Sequence, residues 1–563
     1  MTEKKGEHRA RPAEEIEWQF DTPDLDAVDR RIEFGPILEN FEVGRPSDLR
    51  FFDIYLDTSK LALLRSGLAC RVRVGSVPEA ARDAVLTLKS LHPAHEGVTR
   101  RTEIDQPIES ALPRDAEGRP LLSDLSRIVK TGLTKDGPVT ARLDGLLGPR
   151  PLEVLFILRQ SRRAREVRRG DALLGELVLD RAEALGSTYA PAQEMVERVE
   201  LELKADQGRL SKLEDFARAL ATACDLTPAK RAKFRAGLLS SGRDLERLLH
   251  CGPIETTLEP TTHELAYRAL RVQCERLRAR EAPTRLGEEP EALHQMRVAV
   301  RRLRAGLSFF REVLPEASER HRARLRALGR ALGPVRDLDV LSQEMARAAS
   351  AARKCGVEEA TGLEALRVVL ERRRAEARAR LVRRLDAPGH ARDLERLTSF
   401  LRRGAPRRGI PIRPAREELP TWIGRRRRRL RRLLGSLEAD GPTAALHEAR
   451  IAAKKLRYAL EFSQPLYEPE SARYVRRLVD LQDLLGTVQD LAVGQSILLG
   501  LRVPRDPEER ARLLRAEGCM LERARRAASR ARRRMGRLLQ RLRGGTWRRL
   551  KARLQPEQAE GER

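Results

Sequence analysis

The sequence predicts an α+β multidomain chain with two unlike folds in series: a charged-lumen antiparallel β-barrel, then an all-α, internally duplicated helical bundle. Three observations carry this reading. Between residues 14 and 204, acids and bases recur at period two opposite apolar residues. From about residue 260 the period becomes 3.6. Two helical motifs then recur, both at an offset of 153 residues.

The chain has 563 residues, room for two to four domains of roughly 150 residues each. A charged fraction of 34% beside a hydrophobic fraction of 41% suits globular structure. No apolar run approaches the ~20 residues of a membrane helix, and the polar start MTEKKGEHRARPAEEIE predicts no secretory signal. Six scattered cysteines without CxxC spacing predict a reducing, cytoplasmic setting and argue against a disulfide framework or structural zinc. The net charge of +28 is unevenly placed: residues 261–563 hold 70 Lys+Arg against 39 Asp+Glu, whereas residues 1–260 hold 41 against 44. The second half therefore suits a polyanion and the first half different chemistry.

In the first half, Glu15-Ile16-Glu17-Trp18-Gln19-Phe20 sets Glu15, Glu17 and Gln19 opposite Ile16, Trp18 and Phe20. Arg71 and Arg73 share a face, Lys89 continues the pattern in Leu86–Lys89, and Arg101 lies two residues from Glu103. Glu176 and Asp180 share a face, and Glu200-Leu201-Glu202-Leu203-Lys204 repeats the opening pattern. One strand of this kind reads as a sheet with one wet face. The set reads as a closed barrel with its charges inward, where unpaired ions cost several kcal/mol each. A densely charged ligand bound with a hard divalent cation balances such a lumen: carboxylates take Mg²⁺ or Mn²⁺, and Arg and Lys take phosphate oxygens.

These residues resemble the CYTH domains, the triphosphate tunnel metalloenzymes. Glu15-x-Glu17-x-Gln19 resembles their ExExK strand, Tyr55-Leu56-Asp57-Thr58 their YxDT, and Arg71-x-Arg73, Lys89, Arg101-x-Glu103, Asp180 and Glu200-x-Glu202-x-Lys204 follow in family order over residues 12–206. The resemblance implies an eight-stranded antiparallel tunnel that hydrolyses or cyclises triphosphates with Mg²⁺ or Mn²⁺. It assigns Glu15, Glu17, Asp180, Glu200 and Glu202 to the metal, with Glu103 a further candidate. It assigns Arg71, Arg73, Lys89, Arg101, Arg162 and Lys204 to phosphate, and makes Glu15, Glu17, Lys89, Arg71 and Arg73 the catalytic set. The family's opening lysine is Gln19 here, which removes a positive charge and bears on turnover.

Residues 207–258 read as a helical connector, in which Thr227-Pro228 starts a short helix. Pro-containing turns near 283–290, 404–420 and 441–442 interrupt the helices beyond it, dividing residues 260–550 into halves of about 260–405 and 420–550. Leu293–Arg304 matches Leu446–Arg457, and Leu332–Leu338 matches Leu485–Leu491. At about 100° per residue from His294, the residues Arg297, Arg301 and Arg304 fall near 300°, 340° and 280°, beside an apolar stripe of Leu293, Met296, Val300, Leu303 and Leu307. The second copy sets His447, Arg450, Lys454 and Arg457 beside Leu446, Ala453, Leu456 and Leu460. The aligned pairs Arg320/Arg473 and Arg324/Arg477 add charge. No third His or Cys recurs to make a metal site, so the histidines fit a phosphate contact better, since a nearby anion favours the charged ring.

The paired histidines resemble the CHAD domain, the conserved-histidine α-helical domain, over about residues 260–550. That resemblance implies a two-fold helical bundle whose basic surface binds inorganic polyphosphate and can place a protein at polyphosphate granules. The expected whole is a cytoplasmic triphosphatase-like tunnel tethered to a polyphosphate-binding bundle. Three alternatives stand beside it: a non-catalytic polyphosphate-binding scaffold, a nucleic-acid binder using the Arg425–Arg429 run, and a nucleotide cyclase. The 4% aromatic content is too low for base-stacking platforms.

Overall fold

The computed structural model describes residues 13–75, 84–91, 98–108, 112–123, 125, 137–190, 194–204, 207–286, 290–352, 357–405, 413–436, 443–501, 506–543 and 545–554. They form two compact units. One comprises Met1–His250 with Arg278–Ala292 and Leu385–Arg392; the other comprises Cys251–Leu277, Leu293–Arg384 and Asp393–Arg563.

The first unit is built on an antiparallel sheet. Its strands are β1 (Ala13–Asp21), β2 (Glu42–Val43), β3 (Ser47–Asp57), β4 (Leu68–Gly75), β5 (Val85–Ser90), β6 (Val98–Pro107), β7 (Glu153–Arg169), β8 (Ala172–Ala184), β9 (Glu194–Leu203) and β10 (Thr227–Pro228). Hydrogen bonding runs β1-β6-β5-β4-β3-β7-β8-β9, and β9 pairs back onto β1. Eight strands thus close on themselves, each of them paired on both sides among the described residues. The two-residue strands β2 and β10 hang on β7 and β1. At the seam Glu17 stands opposite Glu202 and Gln19 opposite Glu200.

The period-two pattern puts the apolar residues outside the tunnel, under helices. Ile16, Trp18 and Phe20 join Leu177, Leu179, Val199 and Leu201 beneath the helices Leu25–Glu33 and Leu210–Ala223, which contribute Val28, Ile32, Leu213 and Phe216. Elsewhere Ile54, Val72, Leu86 and Leu88 pack under Val139, Leu143 and Leu146 of the helix Pro138–Leu147. Each buried Leu, Ile or Phe contributes about 1.5–3 kcal/mol, which is what closes the sheet around a polar lumen.

Asp57, the acid of the Tyr55–Thr58 motif, is buried at the end of β3. Its carboxylate accepts from the backbone N–H groups of Thr58 at 2.7 Å, Leu63 at 3.0 Å and Leu64 at 2.9 Å. It is a tie for the chain turning into β4, not a lumen group. Two expectations are corrected here. Thr227-Pro228 does not begin a helix but pairs with Phe20 and Asp21, and the helix starts later, at Lys233. The 404–420 turn is shorter than expected, since Pro420 lies inside the helix Ala415–Gly435, whereas near 283–290 one helix ends at Leu286 and the next begins at Pro290.

In the second unit the repeated motif lies on the helices Pro290–Phe309 and Thr443–Phe462, whose two ends are each offset by 153 residues. The repeated segments around Gly333 and Gly486 lie on Ala317–Ala352 and Glu470–Leu499. Leu293, Met296, Val300, Leu303 and Leu307 are buried, as are Leu446, Ala453, Leu456 and Leu460, so the apolar stripe of each copy faces the core. Phe310, Trp422 and Phe462 meet in that core, with centroid distances of 6.0–6.4 Å.

Replacing Asp57 by Ala leaves three buried N–H groups without their acceptor. Chemical denaturation should show a loss of about 2–4 kcal/mol from the tunnel unit, with an unchanged transition in the helical unit.

Candidate functional site

The lumen holds a partly open cavity of about 560 Å³. Strand alternation delivers Glu17 and Gln19 from β1, Asp53 and Tyr55 from β3, Arg71 and Arg73 from β4, Lys89 from β5, Glu103 from β6 and Arg162 from β7. Glu176 from β8, Glu200 and Glu202 from β9, and Lys204 just after β9 complete the wall. Glu15 and Arg101 face each other across β1 and β6 in the backbone register, but their side chains lie outside the described residues.

The lumen cations sit on carboxylates. Arg73 reaches Asp53 with two contacts of 2.8 Å, and Arg71 lies 3.4 Å from the same group. Burial alone would raise the Asp53 pKa, but Arg71 and Arg73 outweigh it and hold the carboxyl well below its ordinary value. Lys89 pairs with Glu103, and Lys204 with Glu202 at 2.6 Å. Arg162 grips Asp180 through two contacts of 2.9 and 2.8 Å. Fully buried Asp180 therefore serves Arg162, behind the cavity wall. The ring of Phe51 carries Arg73 at 4.1 Å and Arg162 at 5.5 Å from its centroid, fixing both guanidinium planes.

The site contains groups that the strand pattern did not single out. Lys233, at the start of the helix Lys233–Ser240, enters the lumen wall and pairs with Asp180 and, at 2.7 Å, with Glu200. Gln19 donates to Glu17 at 2.8 Å and to Glu200 at 3.4 Å. The charge missing at position 19 is thus present in the same carboxylate cluster, delivered from outside the barrel. The helix approaches so closely because residue 237 is glycine: a Cβ there would lie 2.3 Å from the Phe156 ring. Burial would raise the Glu200 pKa, but Lys233 and Arg162 override it and hold it low. Asp53 also escaped the reading, although its period-two relation to Tyr55 marks it as inward-facing. Lys230, Arg231 and Arg235 come from the same connector as Lys233.

Gln19 bridges Glu17 and Glu200, and a cation placed between these two carboxylates would offset both charges. Among the described residues no group of three or more metal-ligating side chains is assembled. An all-oxygen pair still fits Mg²⁺, which commonly takes one or two carboxylates and fills its shell with water and substrate phosphate. Among the described residues the wall carries nine Lys and Arg against seven Asp and Glu, a surplus too small to neutralise a triphosphate without such an ion.

In the helical unit the two motif helices meet. Arg297 and Arg301 from one and Arg450 and Lys454 from the other act on one another electrostatically. His447 is exposed, with Nδ1 2.8 Å from Gln489 Oε1, and His294 is half-buried. Other residues of the expected stripe are engaged elsewhere. Arg457 pairs with Glu461 at 3.3 Å, Arg324 with Asp393 at 3.1 Å and Arg473 with Glu470 at 3.7 Å. Arg304 sits among Arg322, Arg326 and Arg330. Arg320 is exposed and Arg477 half-buried.

Comparison with known proteins matches residues 14–226 to the CYTH domain and residues 268–499 to the CHAD domain. A CHAD domain from the plant Ricinus communis is 28% identical, covers 53% of this chain and 95% of its own, and has a TM-score of 0.42. A Hippeastrum protein described as an adenylyl cyclase with a dominant triphosphatase activity is 20% identical, with coverages of 41% and 96% and a TM-score of 0.29. The triphosphatase of a Mimivirus capping enzyme is 12% identical, with coverages of 37% and 90% and a TM-score of 0.21. No curated relative matches. No helix of the described residues is long and apolar enough to cross a membrane.

The Lys233–Glu200 pair makes a pH-dependent prediction. A carboxyl with a depressed folded-state pKa adds stability above its unfolded value, and that stability is lost as pH falls through the folded value. Lys233→Met lets the Glu200 pKa climb, so acid unfolding, followed by circular dichroism, should begin at a pH higher by about one unit.

Proposed function

Because this chain joins a CYTH domain to a CHAD domain, we propose that it is a divalent-metal-dependent triphosphatase whose tunnel works beside a polyphosphate-binding bundle. The observation that carries the tunnel reading is the convergence of Arg71, Arg73, Lys89 and Lys204 with Glu17 and Glu200 on one cavity in the lumen. A linear triphosphate entering the cavity takes over cations now held by Asp53, Glu103 and Glu202. Because those carboxylates and Phe51 already orient the cations, little reorganisation accompanies binding.

Glu17 and Glu200, with Glu15 and Glu202 as further oxygen donors, are the residues that would hold Mg²⁺ or Mn²⁺. The ion would neutralise charge on the phosphate oxygens and polarise the phosphoryl group. Arg71, Arg73 and Lys89 align the chain, and Arg162 and Lys233 set the charge state of Glu200. A lumen carboxylate orients the attacking water and accepts its proton. The water oxygen bonds to the terminal phosphorus as the bridging P–O bond breaks, releasing orthophosphate and pyrophosphate.

The bundle reading rests on the four clustered basic side chains from the two motif helices. A flexible phosphate chain offers charge and repetition without base edges, and that is what this surface can recognise. Tethering raises the local concentration of phosphate chains for the tunnel. Association with polyphosphate granules in the cytoplasm follows from the same affinity.

The full chain should release orthophosphate from inorganic triphosphate with Mg²⁺ or Mn²⁺, stop when the metal is chelated, and lose about 10²-fold or more of kcat in Glu17→Gln/Glu200→Gln. If neither metal supports release while long polyphosphate still binds, Gln19 marks a tunnel that only binds. Binding to the bundle should weaken linearly in log–log form with salt.

A further inference from the structure

The two motif helices bring three arginines and Lys454 together with too few carboxylates to balance them. Asp490 lies 3.8 Å from Arg450, and Arg301 donates to the Tyr458 hydroxyl at 2.7 Å. Asp337 and Arg336 stand beside Arg297, and Asp337 and Asp490 repel each other. Lys454 makes no ion pair with any of the described residues, while Arg301, Arg450 and Arg297 all oppose its charge and only Asp490 supports it.

The cluster is built, not incidental. A Cβ on Gly333 would lie 3.2 Å from Arg297 Nη1, and one on Gly486 would lie 3.3 Å from Arg450 Nη2. Each motif arginine is therefore laid against a glycine one helix away, at equivalent places in the two copies. A half-buried lysine among three guanidinium groups lacks the anion that would balance its charge.

We propose that this seat is proton-linked: when a phosphate chain settles between the two stripes, Lys454 takes up one proton from solvent and becomes the fourth cation holding the chain. This rests on the polyphosphate reading above and states how that site is regulated. In the free protein, burial first, then Arg301 and Arg450, push the Lys454 pKa down to about 7. A neighbouring oxyanion reverses that balance and favours the ammonium. The interior phosphates of a long chain are strong acids and stay ionised throughout, so the proton comes from water. The complex binds more protons than the free protein, and affinity falls as pH rises above about 7. Cellular alkalinisation would loosen the hold and acidification would tighten it.

The test is calorimetric titration of the full chain with long-chain inorganic polyphosphate between about pH 7 and pH 9, in two buffers of different ionisation enthalpy. The wild type should take up close to one proton and weaken by up to about tenfold per pH unit. Lys454→Arg keeps the charge but cannot release it in this range, so it should bind at the lower pH and lose the slope. Repeating both in a His294→Gln/His447→Gln background removes the other titratable groups of the stripe. A wild type that binds with a flat profile and no proton uptake sinks the inference and leaves the polyphosphate reading standing, as does an unchanged slope in Lys454→Arg. Absence of binding at every pH brings down both.

Discussion

An ion taken out of water must be balanced where it sits, and both halves of this chain are organised by that constraint. In the tunnel the balance is internal: Asp53 holds Arg71 and Arg73, Glu103 holds Lys89, and Asp180 holds Arg162 and Lys233. In the bundle it is left incomplete around Lys454. The first arrangement makes a stable container of exchangeable partners, and the second makes a surface that improves when an anion arrives.

Closure of the barrel follows from the same constraint. An open sheet would expose the inward charges to water, where pairs of this kind are worth little. The β1–β9 seam removes that escape and sets Glu17 opposite Glu202 and Gln19 opposite Glu200. The acidic motifs at the two ends of the domain look alike because they are antiparallel neighbours contributing to one carboxylate cluster. The apolar faces under Leu25–Glu33 and Leu210–Ala223 supply the burial that keeps this ion-lined interior closed.

Much of this was legible in the sequence, because alternation and the 3.6-residue period are local signals. Glu17, Arg71, Arg73, Lys89, Glu200, Glu202 and Lys204 could be placed on inward faces by counting in twos. What counting cannot find is a residue brought in by a different element. Lys233 belongs to no strand and lies in the connector, and only the close approach at Gly237 carries it to Glu200. Nor does periodicity show what a side chain does once it is in place. Asp57 shares a motif with Tyr55 yet ties the backbone, and Asp180, read as a metal ligand, is fully buried against Arg162. In the bundle the helical wheel placed the basic stripe correctly beside the core. It could not foresee that Glu461, Asp393 and Glu470 engage Arg457, Arg324 and Arg473, leaving a smaller set at the centre.

The two solutions respond to the solution around them in different ways. Lumen pairs are enclosed within a few ångströms of each other, so salt screens them weakly, whereas charges near solvent are damped over a Debye length of about 8 Å at physiological ionic strength. A triphosphate in the tunnel must exchange one set of short, enclosed contacts for another, and the gain depends on geometry. A long phosphate chain on the bundle would instead add charge where like charges repel, and its gain would depend on ionic strength and protonation. On the function proposed here, one chain holds phosphate in two ways with the same few residue types. Whether the surrounding elements supply Asp and Glu to face the Arg and Lys, or withhold them, decides which way each half works.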